Sequence, residues 1–306
     1  MKISLVIPVF NEEAVLPFLK TKLDALAVVV DARWEFILVN DGSVDESRTI
    51  INQWAKHDGR VIAVNFSRNF GHQAAITAGL AQSSGDAVVI MDADMQDPPE
   101  VIVDLIKEWQ KGFKVILAVR KQRREGLLRR TVFKIFYRLF AFLVDSSLTV
   151  DSGVFGLMDR TVVKHILSLE ERNRFLPGLR AWVGFKTTRI LYVRDDRTIG
   201  KPQQSALKLL KYGMDAIFSF SYRPLRISFL VGVLFSSSCF IYGIILIIKR
   251  LANIDVVSGF TTTTVSIFFV GGLLLISNGL LGEYIARIYD EVKKRPLYII
   301  DEIVKK

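Results

Sequence analysis

Hydrophobic and polar positions follow two different patterns along this 306-residue chain. Up to about residue 120, short β-branched runs alternate with stretches of helical spacing. The runs "KISLVIP" (2–8), "EFILVN" (35–40), "RVIAVNFS" (60–67), "DAVVIMD" (86–92) and "KVILAVR" (114–120) predict strands. Between them, 12–27, 45–57, 71–82 and 98–111 carry apolar residues at helical spacing. The strands are apolar on both faces, as a parallel sheet covered by helices requires. The alternation predicts a doubly wound α/β domain over 1–200, whose ligands bind beyond the carboxyl ends of the strands. Beyond residue 120 the spacing predicts a helix at 127–144, a strand near 150–158, helices around 160–183 and a strand at 186–194.

The second pattern begins after residue 200. Residues 204–222, within a juxtamembrane segment 201–225, place Leu207, Leu210, Met214, Ile217 and Phe218 on one side of a helix. Lys208 and Lys211 sit near its polar boundary, which suits a helix lying among lipid headgroups or one packed on the α/β domain. Residues 226–284 then hold two long apolar segments. The first, 227–248, runs 22 residues without a charge, enough to cross a bilayer. The second, 264–283, carries Gly271, Gly272 and Gly279, which allow close helix contact. The remainder, 285–306, reads as a basic tail.

Charge adds direction to this picture. The net charge is +10, and its basic clusters are 120–130, 208–226 and 287–298. Two of the three flank the apolar segments, which favours anionic lipid over nucleic acid. The same flanks place both ends of the hairpin in the cytoplasm by the positive-inside rule. No basic-then-apolar export signal precedes the first strand, so the α/β domain is expected to stay cytoplasmic and tethered to the inner face of the membrane. Cys239, the one cysteine, excludes an intramolecular disulfide and a cysteine metal site.

Four carboxylates crowd "MDADMQDPPE" (91–100), and local rules separate them. Asp97 suits an N-cap, with Pro98 at the first helical position and Glu100 two residues on. Asp92 and Asp94 have no such explanation. At the end of an apolar strand they form a hard-oxygen site for Mg²⁺ or Mn²⁺, which takes further ligands from substrate phosphates. In "VNDGSVDES" Ser43 and Glu46 form a capping box, leaving Asp41 for a nucleobase, a ribose or an Asx turn. Asn11 is a cap for the first helix, and Glu12 favours its positive end. His57, His72 and His165 lack metal-ligand spacing; surface or structural roles are expected, with His72 alone near a ligand.

In order and spacing, "IPVFNEE", "VNDGSVDES", "SRNFGHQAAITAGL" and "MDADMQDPPE" resemble the family 2 inverting glycosyltransferases of GT-A fold. The later "ERNRFLPGLRAWVG", "FSFSYRPLRI" and "GLLGEYIARIYDEVKKRPLYII" resemble those members that act on polyprenyl phosphates, the bactoprenol glucosyltransferases and, more remotely, dolichol-phosphate mannose synthases. The resemblance implies a nucleotide-sugar pocket lined by Pro8, Glu12, Asp41, Arg68, Asn69 and Asp92. It implies a divalent cation, Mg²⁺ or Mn²⁺, on Asp92, Asp94 and Gln96, and a lipid phosphate on Arg120, Arg129 and Arg130. Asp92, Asp94, Asp151 and Arg129 are the implied catalytic set. Hexose, as glucose from UDP-glucose, would pass to undecaprenyl phosphate with inversion, and relatives of this kind can assemble as homo-oligomers. The chain departs from its relatives where many read G-D-F-R, having Gly153-Val154-Phe155-Gly156 with Asp151 upstream as a surrogate acid, and where Pro202, Gln203 and Gln204 replace an S-K-Y-like motif. A different donor, an acceptor such as diacylglycerol, or a nucleotide-binding membrane scaffold without transfer are the alternatives that these departures motivate.

Overall fold

The computed structural model describes residues 1–121, 152–193, 223–252 and 259–306. The helices expected at 127–144 and 204–222, with Asp151, Arg129, Arg130 and Pro202–Gln204, lie outside the described residues.

Among the described residues, eight strands form one sheet. β1 (Lys2–Val9), β2 (Arg33–Asn40), β3 (Val61–Phe66) and β4 (Ala87–Ile90) run parallel to one another. β5 (Val115–Arg120) and β7 (Thr187–Tyr192) are parallel to each other, while β6 (Ser152–Asp159) lies antiparallel between β4 and β5. With β8 (Ile300–Lys305) antiparallel on β3, the order is β7-β5-β6-β4-β1-β2-β3-β8.

Helices cover both faces, so the period of two along each strand feeds two cores. Ile3, Leu5, Ile7 and Val9 of β1 pack in one, together with α1 (Leu16–Val29), α2 (Ser47–His57) and α4 (Val101–Gln110). Val6 points into the other, with α3 (His72–Gln82), α5 (Arg160–Ser168) and α6 (Leu176–Trp182). α3 lies so close to the sheet that a Cβ on Gly79 would come 2.2 Å from Val6 Cγ1. This close approach, rather than a turn, demands glycine in mid-helix.

The apolar segments are two helices, α7 (Arg223–Leu251, 29 residues) and α8 (Phe260–Lys293, 34 residues). Both extend past the apolar runs seen in the sequence, and both are long and apolar enough to cross a membrane. They run antiparallel, for Phe235 meets Phe269 with ring centroids 5.2 Å apart and Ser228 Oγ lies 3.4 Å from Ser277 Oγ. Phe229, Phe240, Leu275 and Ile276 stand bare on their outer faces.

One reading is corrected here. Residues 285–306 are not a free basic tail: they hold the end of α8 and then β8, which completes the sheet. The strand is short, and Asp301 and Glu302 sit in it exposed, as edge strands commonly arrange. Those charges, beside a basic run, hid it in the sequence.

Candidate active site

The carboxyl ends of β1 to β4 meet along one edge, and their loops are stitched to each other. Asn11 donates its backbone N–H to Ser43 Oγ (3.0 Å) and accepts from Val44 N at Oδ1 (2.9 Å). Glu12 N donates to Ser47 Oγ (2.9 Å), and Glu46 N to Glu13 Oε2 (2.9 Å). Two cap expectations are therefore corrected. α1 begins only at Leu16, and Asn11, at φ 55°, ties loop to loop instead of capping it. Glu46 is the N-cap position of α2 and makes no side-chain cap, so Ser43 and Glu46 form no capping box. Local spacing suggested caps; donors from the neighbouring loop took the same oxygens.

Asp41 is buried at the end of β2 and accepts from Phe70 N (2.7 Å) and Gly71 N (3.0 Å). Its carboxylate thereby caps α3, whose N-cap is Gly71 at φ 98°. Burial pushes its pKa above the usual carboxylate value, although these two N–H groups and the charges of His72 and Arg68 pull the other way. The Gly42 turn rests directly on the backbone of Arg68 and Asn69, where an added Cβ would come within 2.4 Å. Arg68 and Asn69 are exposed, and the Arg68 guanidinium lies 4.1 Å from the Phe70 ring centroid. Pro8, buried in β1, pairs in register with Val39 two residues before Asp41.

Past β4, Asp92 and Asp94 are half-buried in a tight turn containing Met95 at φ 58°. Gln96 N donates to Asp94 Oδ1 (3.1 Å). His72 Nε2 lies 2.9 Å from Asp92 Oδ1. Burial alone would lower the His72 pKa, but its bond to Asp92 and the charges of Asp92, Asp41 and Asp94 outweigh that and hold it above its ordinary value. This contact escaped the sequence reading because it joins residues 20 apart across two loops. Among the described residues no three His, Cys, Asp or Glu side chains form a closed metal cage. The donor set fits an open site: two carboxylates and an amide oxygen, all hard, leave positions for water and a diphosphate.

Asp97 is a further correction. α4 begins at Val101, with Glu100 in the N-cap position and no side-chain cap. Glu100 instead pairs with Lys22 at 2.8 Å, and Asp97, 1% exposed, accepts a 2.5 Å bond from the Tyr192 hydroxyl. Tyr192 is the register partner of Arg120, which is exposed at the end of β5, and its ring meets Phe155 edge-on at 5.5 Å. The loop bearing Asp92, Asp94 and Gln96 is thus anchored to the strands that carry Arg120 and Phe155. Gly156 could hold no side chain, since a Cβ would lie 2.4 Å from Ile116 O. Arg180, buried and unsuspected in the sequence, donates to the carbonyls of Gly153 (2.6 Å) and Val154 (3.2 Å). Burial pulls its pKa down to about 10.

Residues 4–167 match glycosyl transferase family 2, and residues 223–288 match the GtrB C-terminal hairpin. The chain is a family 2 glycosyltransferase. Its sheet, covered by helices on both faces, is the GT-A-like sheet expected from the sequence. Relatives match over nearly their whole lengths, two of them bactoprenol glucosyl transferases by name. The prophage bactoprenol glucosyl transferase homolog of Escherichia coli (strain K12) is 41% identical over 100% of both chains. The SfII prophage-derived bactoprenol glucosyl transferase of Shigella flexneri is 43% identical over 98% of this chain and 97% of its own. Among solved structures, glucosyl-3-phosphoglycerate synthase from Mycobacterium tuberculosis, with Mn²⁺, UDP and glucosyl-3-phosphoglycerate, superposes at a TM-score of 0.49. It is 19% identical, covering 71% of this chain and 77% of that one.

Proposed function

We propose that this glycosyltransferase moves glucose from UDP-glucose to the phosphate of undecaprenyl phosphate at the cytoplasmic face of a bacterial inner membrane. The observation that carries the reading is one polypeptide joining a carboxylate-bearing sheet edge to a hairpin of membrane-crossing length. The full-length similarity to bactoprenol glucosyl transferases supports the same acceptor. Residues 1–200, with β8 added at the edge of the sheet, would form the catalytic domain and 226–284 the membrane hairpin, with both termini in the cytoplasm. A homo-oligomer built on the hairpin belongs to the reading, supported by the open space at Gly271, Gly272 and Gly279.

Asp92 and Asp94, with Gln96, would hold a divalent cation. When bound, it neutralises the diphosphate of the donor and stabilises the charge left on the departing group. Asp41, Arg68 and Asn69, with Glu12 and Pro8 at the end of β1, would take the nucleoside. Arg120, and beyond the described residues Arg129 and Arg130, would draw the lipid phosphate to the anomeric carbon. A phosphate monoester loses its second proton at about pH 6, so its oxygen is already a nucleophile near neutrality. That oxygen bonds to C1 as the C1–O bond to the nucleotide breaks, its electron pair leaving on the diphosphate. The configuration at C1 inverts. No side chain has to accept a proton, which makes the loss of an acid at Val154 compatible with transfer. The remaining work is positioning, where Arg180 and Tyr192 hold the strand and loop in place.

The test is product analysis. Purified enzyme, undecaprenyl phosphate and UDP-glucose are expected to yield a lipid-phase glucosyl phosphate whose anomeric proton coupling shows the β configuration. An α-linked product would rule out single displacement, and glucose on a lipid without phosphate would rule out the acceptor.

A further inference from the structure

The chain leaving α8 runs along the nucleotide edge. Lys294, at φ 47°, ends the helix, and Glu291 one turn earlier accepts from Arg172 N at 2.8 Å. The Tyr298 ring then stacks on Phe66, with centroids 5.1 Å apart and planes at 10°. Phe66 in turn meets Phe70 edge-on at 5.7 Å, and Ser67 N donates to Ile299 O at 3.1 Å. This segment therefore lies against 66–70, whose Phe70 N holds Asp41.

A second line reaches the same place through polar groups. Asn52 Nδ2 donates to Glu302 Oε2 of β8 (3.4 Å), and Asn65 Nδ2 to Asn52 Oδ1 (2.8 Å). Asn40 Nδ2 donates to Asn65 Oδ1 (3.1 Å), and Asn40 Oδ1 accepts from Ser43 N (2.9 Å). Asn40 and Asn65 are buried, so each amide depends on the next for its orientation. The apolar line ends at Phe70, which holds the Asp41 carboxylate, and the amide line ends at Asn40 and Ser43, which flank Asp41 in the chain.

We propose that Tyr298 is a positioning residue for the nucleotide. Seated on Phe66 by a segment that returns directly from the hairpin, it sets the 66–71 loop and through it Asp41. The inference rests on the donor-site reading above. β8 fixes the far end of the same brace through Arg48, whose Nη2 lies 2.6 Å from Asp301 and 3.3 Å from Glu302.

The experiment is equilibrium binding of UDP, with Mn²⁺, to the full-length detergent-purified protein, alongside steady-state kinetics. Tyr298→Ala is expected to raise the Kd for UDP about tenfold and the donor KM with it, leaving the KM for lipid phosphate unchanged. Tyr298→Phe, which keeps the stack, restores wild-type binding. Glu302→Ala, at the exposed end of the amide line, raises the Kd about threefold and covers the case in which Tyr298→Ala does not fold. A purely structural Tyr298 would reduce only the active fraction; an unchanged UDP Kd in both folded variants overturns the inference and leaves the donor site standing. Wild-type protein that binds no UDP overturns both.

Discussion

Asp92 and His72 show how much of the chemistry rests on single contacts. His72 Nε2 fixes one Asp92 oxygen at 2.9 Å, so the carboxylate presents its other oxygen in a set direction. Partners of this kind, one bond removed from a cation, commonly change its affinity by about 10–100-fold. His72→Ala is accordingly expected to raise the Mn²⁺ concentration for half-maximal activation by about 10–100-fold. Activation unchanged by that substitution would remove His72 from the site. The two carboxylates stood out in the sequence because the rules for a helix start, which Asp97 and Glu100 suit, do not reach back to Asp92 and Asp94. His72 and Arg180 did not, since each acts through a residue distant in the chain. Asp97 was misread for the same reason: its neighbours resemble a helix start, yet Tyr192, 95 residues away, takes its carboxylate.

At the scale of elements, the junction of β6 and α5 is fastened by Asp159. It accepts from Trp109 Nε1 (2.8 Å) and Lys114 Nζ (2.9 Å), and caps α5 through Thr161 N (3.0 Å). Burial by itself would raise its pKa. The bonds from Trp109, Lys114 and Thr161 outweigh that and hold it at about 2, below an ordinary value of 3.8. A depressed carboxylate stabilises the fold above its unfolded pKa, and the stabilisation fades as pH falls through the folded one. Asp159→Asn is therefore expected to cost about 2 kcal/mol at neutral pH. In thermal unfolding of the two proteins, the gap in Tm should narrow between pH 4 and pH 2; a gap constant over that range would refute this role. The elements themselves were easy to read where apolar residues filled both faces, and β1 to β5 fall within two residues of expectation. β8 was hidden because an edge strand with exposed acids has no alternating signal, and its partner β3 lies more than 230 residues earlier.

For the whole molecule, β8 has a topological consequence. It follows the hairpin in sequence yet hydrogen-bonds in the same sheet as β1, so any membrane crossings between them must be even in number. This agrees with the basic residues at both outer ends of the hairpin. In a Cys239→Ser background, Asp255→Cys should react with an impermeant maleimide in intact spheroplasts, and Lys306→Cys only after lysis. The reverse pattern would invert the orientation. On the proposed function, the same return would couple the nucleotide edge to the segment leaving the membrane, beside the lipid that supplies the acceptor.

The most direct test of that arrangement is transfer itself, measured with detergent-purified protein, Mg²⁺ or Mn²⁺, undecaprenyl phosphate and a panel of labelled UDP- and GDP-sugars. Label should enter the lipid phase from UDP-glucose, and Asp94→Ala should lower the rate by at least about 100-fold. Nucleotide binding with no label in lipid from any donor, or transfer indifferent to Asp94, would contradict the account.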